Sequence, residues 1–446
     1  MVDTGNECPY HWVPQNMKIL VVSSHEHLHG GGEGRLAFEF AVEMSRRHRV
    51  VLVYPGGVPD RLPEGATLEV YPVRSIDFTL AAMTGGELRA LFRFLNAFKP
   101  DIVHSHTPWL MGAILQYWAF THGVPFYFTA HELPSKILEW GLVRYMRGVS
   151  RTGLLHALTR TYLVTFCRHC TGVVALNQAA ATDIRGIGYR GRLSIIPNGR
   201  TLALYDGKEP ADVSAPEKVL AFIGDILPRK NQKYLVSVLG FLPPNYRLLL
   251  VGHNVDHRYR GEIEDALTPE LRKRVTFTGN LPHERVPEHL ARTHLWVSAS
   301  LMEVQSLAVL EALASGTPVL GLSNETIDEM VDETAGGRLP RDTTPEQFAL
   351  SVRRLCEQDP ASYAALCEGA RVKARPFDWS NAMRSTETLY ARAPGPAGRV
   401  RRGTLAMPFL FATAQMLLSM VFYLIVKISA FLESIGSQRQ ARRGEA

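Results

Sequence analysis

Short β-branched runs alternate with longer stretches of helical periodicity along most of the chain. That rhythm predicts parallel sheets covered by helices on both faces. In the first half, residues 17–22 (MKILVV), 50–54 (VVLVY), 101–105 (DIVHS), 126–130 (FYFTA), 172–176 (GVVAL) and 193–197 (LSIIP) read as strands. The rhythm restarts at 218–223 (KVLAFI) and continues through 246–251 (YRLLLV), 275–278 (VTFT), 295–298 (LWVS) and 318–322 (PVLGL). Between the two series lies a polar stretch rich in turn residues. The pattern therefore predicts an α/β protein with two doubly wound, Rossmann-like domains, whose ligands would bind in a cleft at the carboxyl ends of the sheets. Domain 1 is expected over 17–200, a linker over 201–217, domain 2 over 218–376 and a closing helix over 377–393, with Ser380 as its cap.

The ends of the chain follow other patterns. Residues 1–16 hold no apolar core and no basic start, so they read as a disordered leader rather than a signal peptide. A basic tether (394–403) leads to an apolar segment (404–432), followed by a basic tail (433–446). From Thr404 to Val426 no residue is charged, and as a helix this run would reach roughly 34 Å, enough to cross a bilayer. Arginines and lysines flank it on both sides, so charge asymmetry assigns no orientation, and spanning and in-plane placements both stay open.

Composition narrows this picture only slightly. Of 446 residues, 46% are hydrophobic and 21% charged, the balance of a globular chain rather than a disordered one. The net charge of +6 suits a phosphorylated ligand or an anionic membrane surface without deciding between them. Five cysteines, including Cys167 and Cys170 in a C-x-x-C, supply neither a disulfide framework nor zinc-ribbon spacing, and point to a reducing compartment. No metal site, cofactor or nucleic-acid partner is expected.

Two segments carry candidate chemistry. After the first strand comes a glycine cluster containing Gly31 and Gly32, which would let backbone N–H groups approach a phosphate at a helix start. It lacks the full dinucleotide fingerprint, and no acidic residue closes the second strand, which disfavours a nicotinamide cofactor. The second segment is SASLMEVQSLAVLEALASGTPVL, with Glu303 and Glu311 near one end of a helix starting around Ser306. Two carboxylates so placed could accept hydrogen bonds from two sets of sugar hydroxyls. The N–H groups of Gln305, Ser306 and Leu307 would face an anion between them.

This segment resembles the E-x7-E motif of the family 4 retaining glycosyltransferases, enzymes of the GT-B fold. KPDIVHSHTP (99–108), VPFYFTAHE (124–132), IIPNG (195–199), FIGDILPRKN (222–231) and FTGNL (277–281) match the family's other motifs in order. The resemblance implies a nucleotide-sugar donor held without a metal. It places Arg229 and Lys230 on the donor diphosphate, Glu311 on the ribose, Glu303 on the hexose, and Asn280 and Leu281 beside the base. His131 would lie between donor sugar and acceptor. Glu303 and His131 would thus be the catalytic pair. One departure stands out: the family usually carries Arg where this chain has Asp225, a carboxylate that must turn away from the diphosphate or pair, with Arg229 for instance.

The acceptor is read from the basic segment after His131. Arg144, Arg147 and Arg151 share a helical face with Trp140 close by, a pattern suited to anionic lipid headgroups. The EVQS context of Glu303 and the FCRHC stretch resemble the branch that glucosylates diacylglycerol. The expectation is transfer of a hexose from a UDP-sugar to a membrane lipid, with both domains in the cytoplasm and membrane-associated. Alternatives are a GDP-mannose-dependent phosphatidylinositol mannosyltransferase, transfer to a polysaccharide or polyprenyl-linked glycan, a nucleotide-sugar epimerase, and an inactive GT-B membrane scaffold.

Overall fold

The computed structural model describes residues 16–25, 31–57, 62–77, 80–81, 83–136, 153–207, 209–282 and 285–392. The leader up to residue 15, the basic face of Trp140, Arg144, Arg147 and Arg151, and the tether, apolar segment and tail lie outside them. No described helix is long and apolar enough to cross a membrane.

The chain forms two compact units, one spanning Pro197–Ala382 and the other built from the residues on either side of it. The first unit runs β1 (Lys18–Val22), α1 (Gly31–Ser45), β2 (Arg49–Tyr54), β3 (Glu69–Pro72), a small hairpin of β4 (Ser75–Asp77) and β5 (Leu80–Ala81), then α2 (Gly85–Phe98). It continues with β6 (Ile102–Ser105), α3 (Leu110–His122), β7 (Phe126–Ala130), α4 (Gly153–Arg168), β8 (Gly172–Ala175), α5 (Gln178–Gly186) and β9 (Leu193–Ile195). Seven of the strands make one sheet in the order β3-β2-β1-β6-β7-β8-β9, each pair parallel. The central strands are buried on both faces, as continuous apolar runs such as Val50–Tyr54 require.

The second unit contains β10 (Lys218–Ile223), α6 (Gln232–Gly240), β11 (Tyr246–Val251), α7 (His257–Asp265), α8 (Pro269–Arg272), β12 (Val275–Gly279) and α9 (Val286–Ala291). After these come β13 (Leu295–Ser298), α10 (Leu307–Ala314), β14 (Val319–Leu322), α11 (Ile327–Met330), β15 (Gly336–Leu339), α12 (Pro345–Cys356) and α13 (Pro360–Ala374). Its parallel sheet has the order β12-β11-β10-β13-β14-β15. Residues 201–217, read from sequence as a linker, lie within this unit: Tyr205 is buried in its main core, and Val213 packs with Tyr363 and Cys367.

Helix α14 (Trp379–Ala391) begins in the second unit and ends in the first. Its cap is Asp378, whose Oδ1 accepts from the N–H of Ser380 at 2.9 Å; Ser380 itself is already helical. Farther along, Glu387 is buried and accepts from Arg47 and pairs with His48, each at 2.9 Å. Tyr390 reaches His104 of β6 through its hydroxyl.

Two edge strands escaped the sequence pattern. β3 ends in proline and is only partly buried, so no apolar alternation marks it. β15 reads GGRL, and glycines weaken strand propensity. The ladder to β14 explains that choice, because Gly336 adopts φ +140° and a Cβ there would sit 2.0 Å from the carbonyl oxygen of Val319. Gly337→Ala would meet only the flexible Leu320 side chain at 3.1 Å. We therefore expect Gly336→Ala to lose about 2–4 kcal/mol in urea unfolding, with Gly337→Ala far closer to the parent protein.

Candidate active site

Strand β13 is buried throughout and delivers the chain into the 299–306 loop, after which Ser306 occupies the N-cap position of α10. The helix is almost wholly apolar, with Val309, Leu310, Ala312 and Leu313 in the core. Glu311 is carried among them, only 3% exposed. A carboxylate so buried needs a cation, and Arg200, 2% exposed, supplies it as an ion pair. Arg200 is stapled in place by its own backbone: its N–H donates to the carbonyl of Phe377 at 2.8 Å, and its carbonyl accepts from Trp379 at 3.2 Å. Asn198, two residues before, donates its N–H to Oε1 of Gln305 at 2.7 Å.

Glu303 sits in the loop before α10 and pairs with Lys230, while an Arg229 nitrogen lies 3.8 Å from its other oxygen. Burial works to raise the Glu303 carboxyl, but the attraction of Lys230 and Arg229 outweighs it, and the group is held below the ordinary carboxylate range. Lys230 comes from the turn after β10, which places its ammonium at the carboxyl end of the second sheet. The N–H of Glu303 donates to Glu325 at 3.2 Å.

The helix N-terminus is less open than the sequence implied. The N–H of Ser306 donates to Oγ1 of Thr326 at 3.0 Å, so this group is already satisfied within the protein. Asn280 and Leu281 follow directly on β12, Asn280 exposed and Leu281 half-buried. Asp225 contributes its backbone carbonyl to Gln232 at 2.8 Å; burial holds the Lys230 ammonium below the ordinary lysine range, with Glu303 and, less strongly, the charge of Asp225 pulling the other way. Among the described residues Arg229 makes its ion pair with Glu303, not with Asp225.

In the first unit the glycine cluster is helix rather than loop, for α1 already starts at Gly31 and includes Gly32. His131 lies just beyond β7, and its Nε2 is 2.8 Å from Nδ1 of His106, which follows β6. His104 completes a file of stacked imidazoles, with ring centroids 5.0 Å apart at each step. His104 is bonded to Thr129 Oγ1 at 2.7 Å, and Phe40 meets both His104 and His106 edge-on at 4.9 Å. Desolvation pushes His131 down to about 4, with Glu33 pulling the other way, and His104 down to about 3. His106 is driven well below its usual value by burial and by its two imidazole neighbours. A cavity beside His131 and His106 is walled by Glu33 and Glu132 on one hand and by Phe128, Leu163, Cys167 and others on the other.

Arg200, His104, His106 and Glu33 were not singled out from sequence. The H-S-H spacing of 104–106 carried a usable signal, since residues two apart on a strand share a face. Nothing local marked Arg200.

The family model "Glycosyltransferase Family 4" matches residues 30–204, and "Glycosyl transferases group 1" matches 208–373. The chain belongs to the family 4-type glycosyltransferases of the GT-B fold. It is 24% identical over 423 residues to the D-inositol 3-phosphate glycosyltransferase of Mycolicibacterium gilvum, covering 85% of this chain and 90% of that protein. It is 24% identical over 256 residues to the alpha-monoglucosyldiacylglycerol synthase of Streptococcus pneumoniae, 54% of this chain and 56% of that protein. Among solved structures it resembles Anabaena Alr3699/HepE in complex with UDP and glucose, with TM-score 0.66 and 20% identity, over 84% of this chain and 99% of that one.

Two outcomes follow from the site itself. Glu311→Ala would leave Arg200 buried without its carboxylate and should cost this glycosyltransferase about 3–5 kcal/mol in chemical denaturation. The histidine file should make it acid-labile. Unfolded histidines titrate near pH 6.5, whereas in the folded protein His131 is held at about 4 and His104 at about 3, with His106 also well below its usual value, so below 6.5 the unfolded chain binds more protons. The stability they contribute is complete above pH 6.5 and is lost as pH falls towards 4; urea midpoints at about pH 7 and about pH 5 should differ, and less so in His131→Gln.

Proposed function

We propose that this glycosyltransferase moves a hexose from a UDP-sugar to a hydroxyl of a membrane lipid such as diacylglycerol, with retention at the anomeric carbon. The observation that carries the donor half is the cluster of Lys230 and Arg229 about Glu303 at the carboxyl end of the second sheet. Cations so placed suit a departing diphosphate, and a buried carboxylate beside them suits sugar hydroxyls. Glu303 occupies Lys230 in the free protein, so donor binding exchanges one anionic partner for another. Glu311 takes the ribose, with Arg200 holding its charge; Asn280 and Leu281 border the base, and Gln305 and Leu307 line the α10 end. Gly31 and Gly32 open the first turn of α1 to the donor.

Attack comes from the face the leaving group departs, with the diphosphate itself drawing off the acceptor proton. Glu303 then positions the sugar and is not a glycosidase-type nucleophile. The solved neighbour with UDP and glucose supports the donor class, and the diacylglycerol relative supports the acceptor. Membrane association through Trp140, Arg144, Arg147, Arg151 and the 404–432 segment, with the catalytic units in the cytoplasm, belongs to the same reading. The inositol-phosphate relative favours an inositol-type acceptor as the second reading.

A donor screen tests both. Full-length protein in lipid–detergent micelles is offered UDP-glucose, UDP-galactose, UDP-N-acetylglucosamine and GDP-mannose, with diacylglycerol or phosphatidylinositol. UDP release with a new diacylglycerol glycolipid is the expected result, and Lys230→Ala should lower kcat/KM by about a hundredfold or more. Turnover with GDP-mannose and phosphatidylinositol would establish the second reading; nucleotide binding without any glycolipid would move the acceptor to a glycan or polyprenyl carrier. No nucleotide binding at all would favour an inactive scaffold.

A further inference from the structure

His131 has two ring nitrogens, and only Nε2 has a hydrogen-bond partner among the described residues: Nδ1 of His106 at 2.8 Å. One proton lies between the two rings, and its owner sets what His131 offers at Nδ1. If His131 donates, its bare Nδ1 lone pair shares a cavity with the Glu33 carboxylate, and His106 is left with a buried Nε2–H that meets no acceptor. If His106 donates, Nδ1 of His131 carries the hydrogen in the cavity that Glu33 lines, and His106 keeps an unfilled lone pair; either way one buried N–H and one lone pair go without a partner among the described residues. What separates the two is Glu33, which lines the cavity with His131 and acts electrostatically on it: an N–H near a carboxylate is favoured over a lone pair.

The ring planes are fixed as firmly as the proton. His106 is sandwiched between His104 and His131 at interplanar angles of 17° and 20°, with Phe40 against its edge. His104 in turn is pinned by Thr129 and Tyr390. The charged and titratable groups that act on His131 are His25, Glu33, His104 and His106.

We infer that His106 is a positioning residue that donates its Nδ1–H to His131 and so turns the Nδ1–H of His131 into the cavity of the first unit. There it meets the oxygen of an entering hydroxyl as a hydrogen-bond donor. Burial keeps the imidazole uncharged to about pH 4, so it orients this oxygen without adding a positive charge. The role rests on the transferase reading, but the proton's place does not.

Two measurements therefore go together. Long-range proton–nitrogen NMR of the full-length protein should find the hydrogen of His131 on Nδ1, and His106→Phe should convert it to a mixture. With the substrates found in the donor screen, His106→Phe should lower kcat about ten- to a hundredfold at unchanged donor KM. His106→Asn, whose amide N–H can take the place of Nδ1–H, should recover most of the loss. In a His131→Ala background His106→Phe should have no further effect. A hydrogen found on Nε2 of His131, or an undiminished effect of His106→Phe in that background, would overturn the assignment. Absence of turnover by the parent protein with every donor and acceptor would count against the transferase reading instead, while the NMR result would still decide the tautomer.

Discussion

A carboxylate taken out of water must be given a cation, and that constraint organises the second unit. The apolar helix α10 carries Glu311 into the core, and the loop before it carries Glu303 nearly as deep. Breaking the Arg200–Glu311 pair would strip a buried charge of its ion-pair partner, which costs more than the pair contributes. The two cations must therefore be delivered from fixed positions. Lys230 arrives from the turn after β10, and Arg200 from a segment tied by backbone hydrogen bonds to the start of α14. The same requirement fixes Arg200 in the second unit, although the sequence pattern has it as the last residue of domain 1.

The first unit obeys the complementary rule. Its stacked histidines are buried bases, and the inexpensive way to bury a base is to leave it uncharged. Three imidazoles stacked face to face could not all be protonated in that space, and each is depressed by burial. Compensated pairs thus hold the charge of Glu303 and Glu311 in the second unit, while the histidine file of the first presents neutral groups able to donate and accept. For a transferase this is a sensible division. On the proposed reading the departing group would be an anion that needs cations, and the arriving group a hydroxyl that needs orientation.

Central features were legible in the sequence because they follow from periodicity. Continuous apolar runs identified the buried strands of both sheets, and the glutamate segment located α10 to within a residue of its start. What escaped depends on long-range partners. The GGRL of β15 is a strand only because β14 lies beside it, and Ser306 loses its N–H to Thr326, twenty residues farther along. Ser380 looked like a cap until Asp378 was seen to accept from its N–H. Arg200 is the clearest case, for an arginine after an Asn-Gly turn normally signals solvent, and only the fold brings Glu311 to it.

Asp225 shows how such a departure can be accommodated. A carboxylate at the position where the resembling family has arginine would repel a diphosphate, with pairing to Arg229 as one escape. The structure takes another. Arg229 turns to Glu303, and Asp225 instead acts on Lys230, where its negative charge offsets part of the desolvation that would strip the ammonium of its proton. A lysine buried in company with Arg229 is under pressure to become neutral, and a neutral lysine could not compensate a diphosphate. Asp225 and Glu303 together oppose that pressure. Asp225 thus stands as a minor counter-charge behind Glu303, while burial still holds the Lys230 ammonium below the ordinary lysine range.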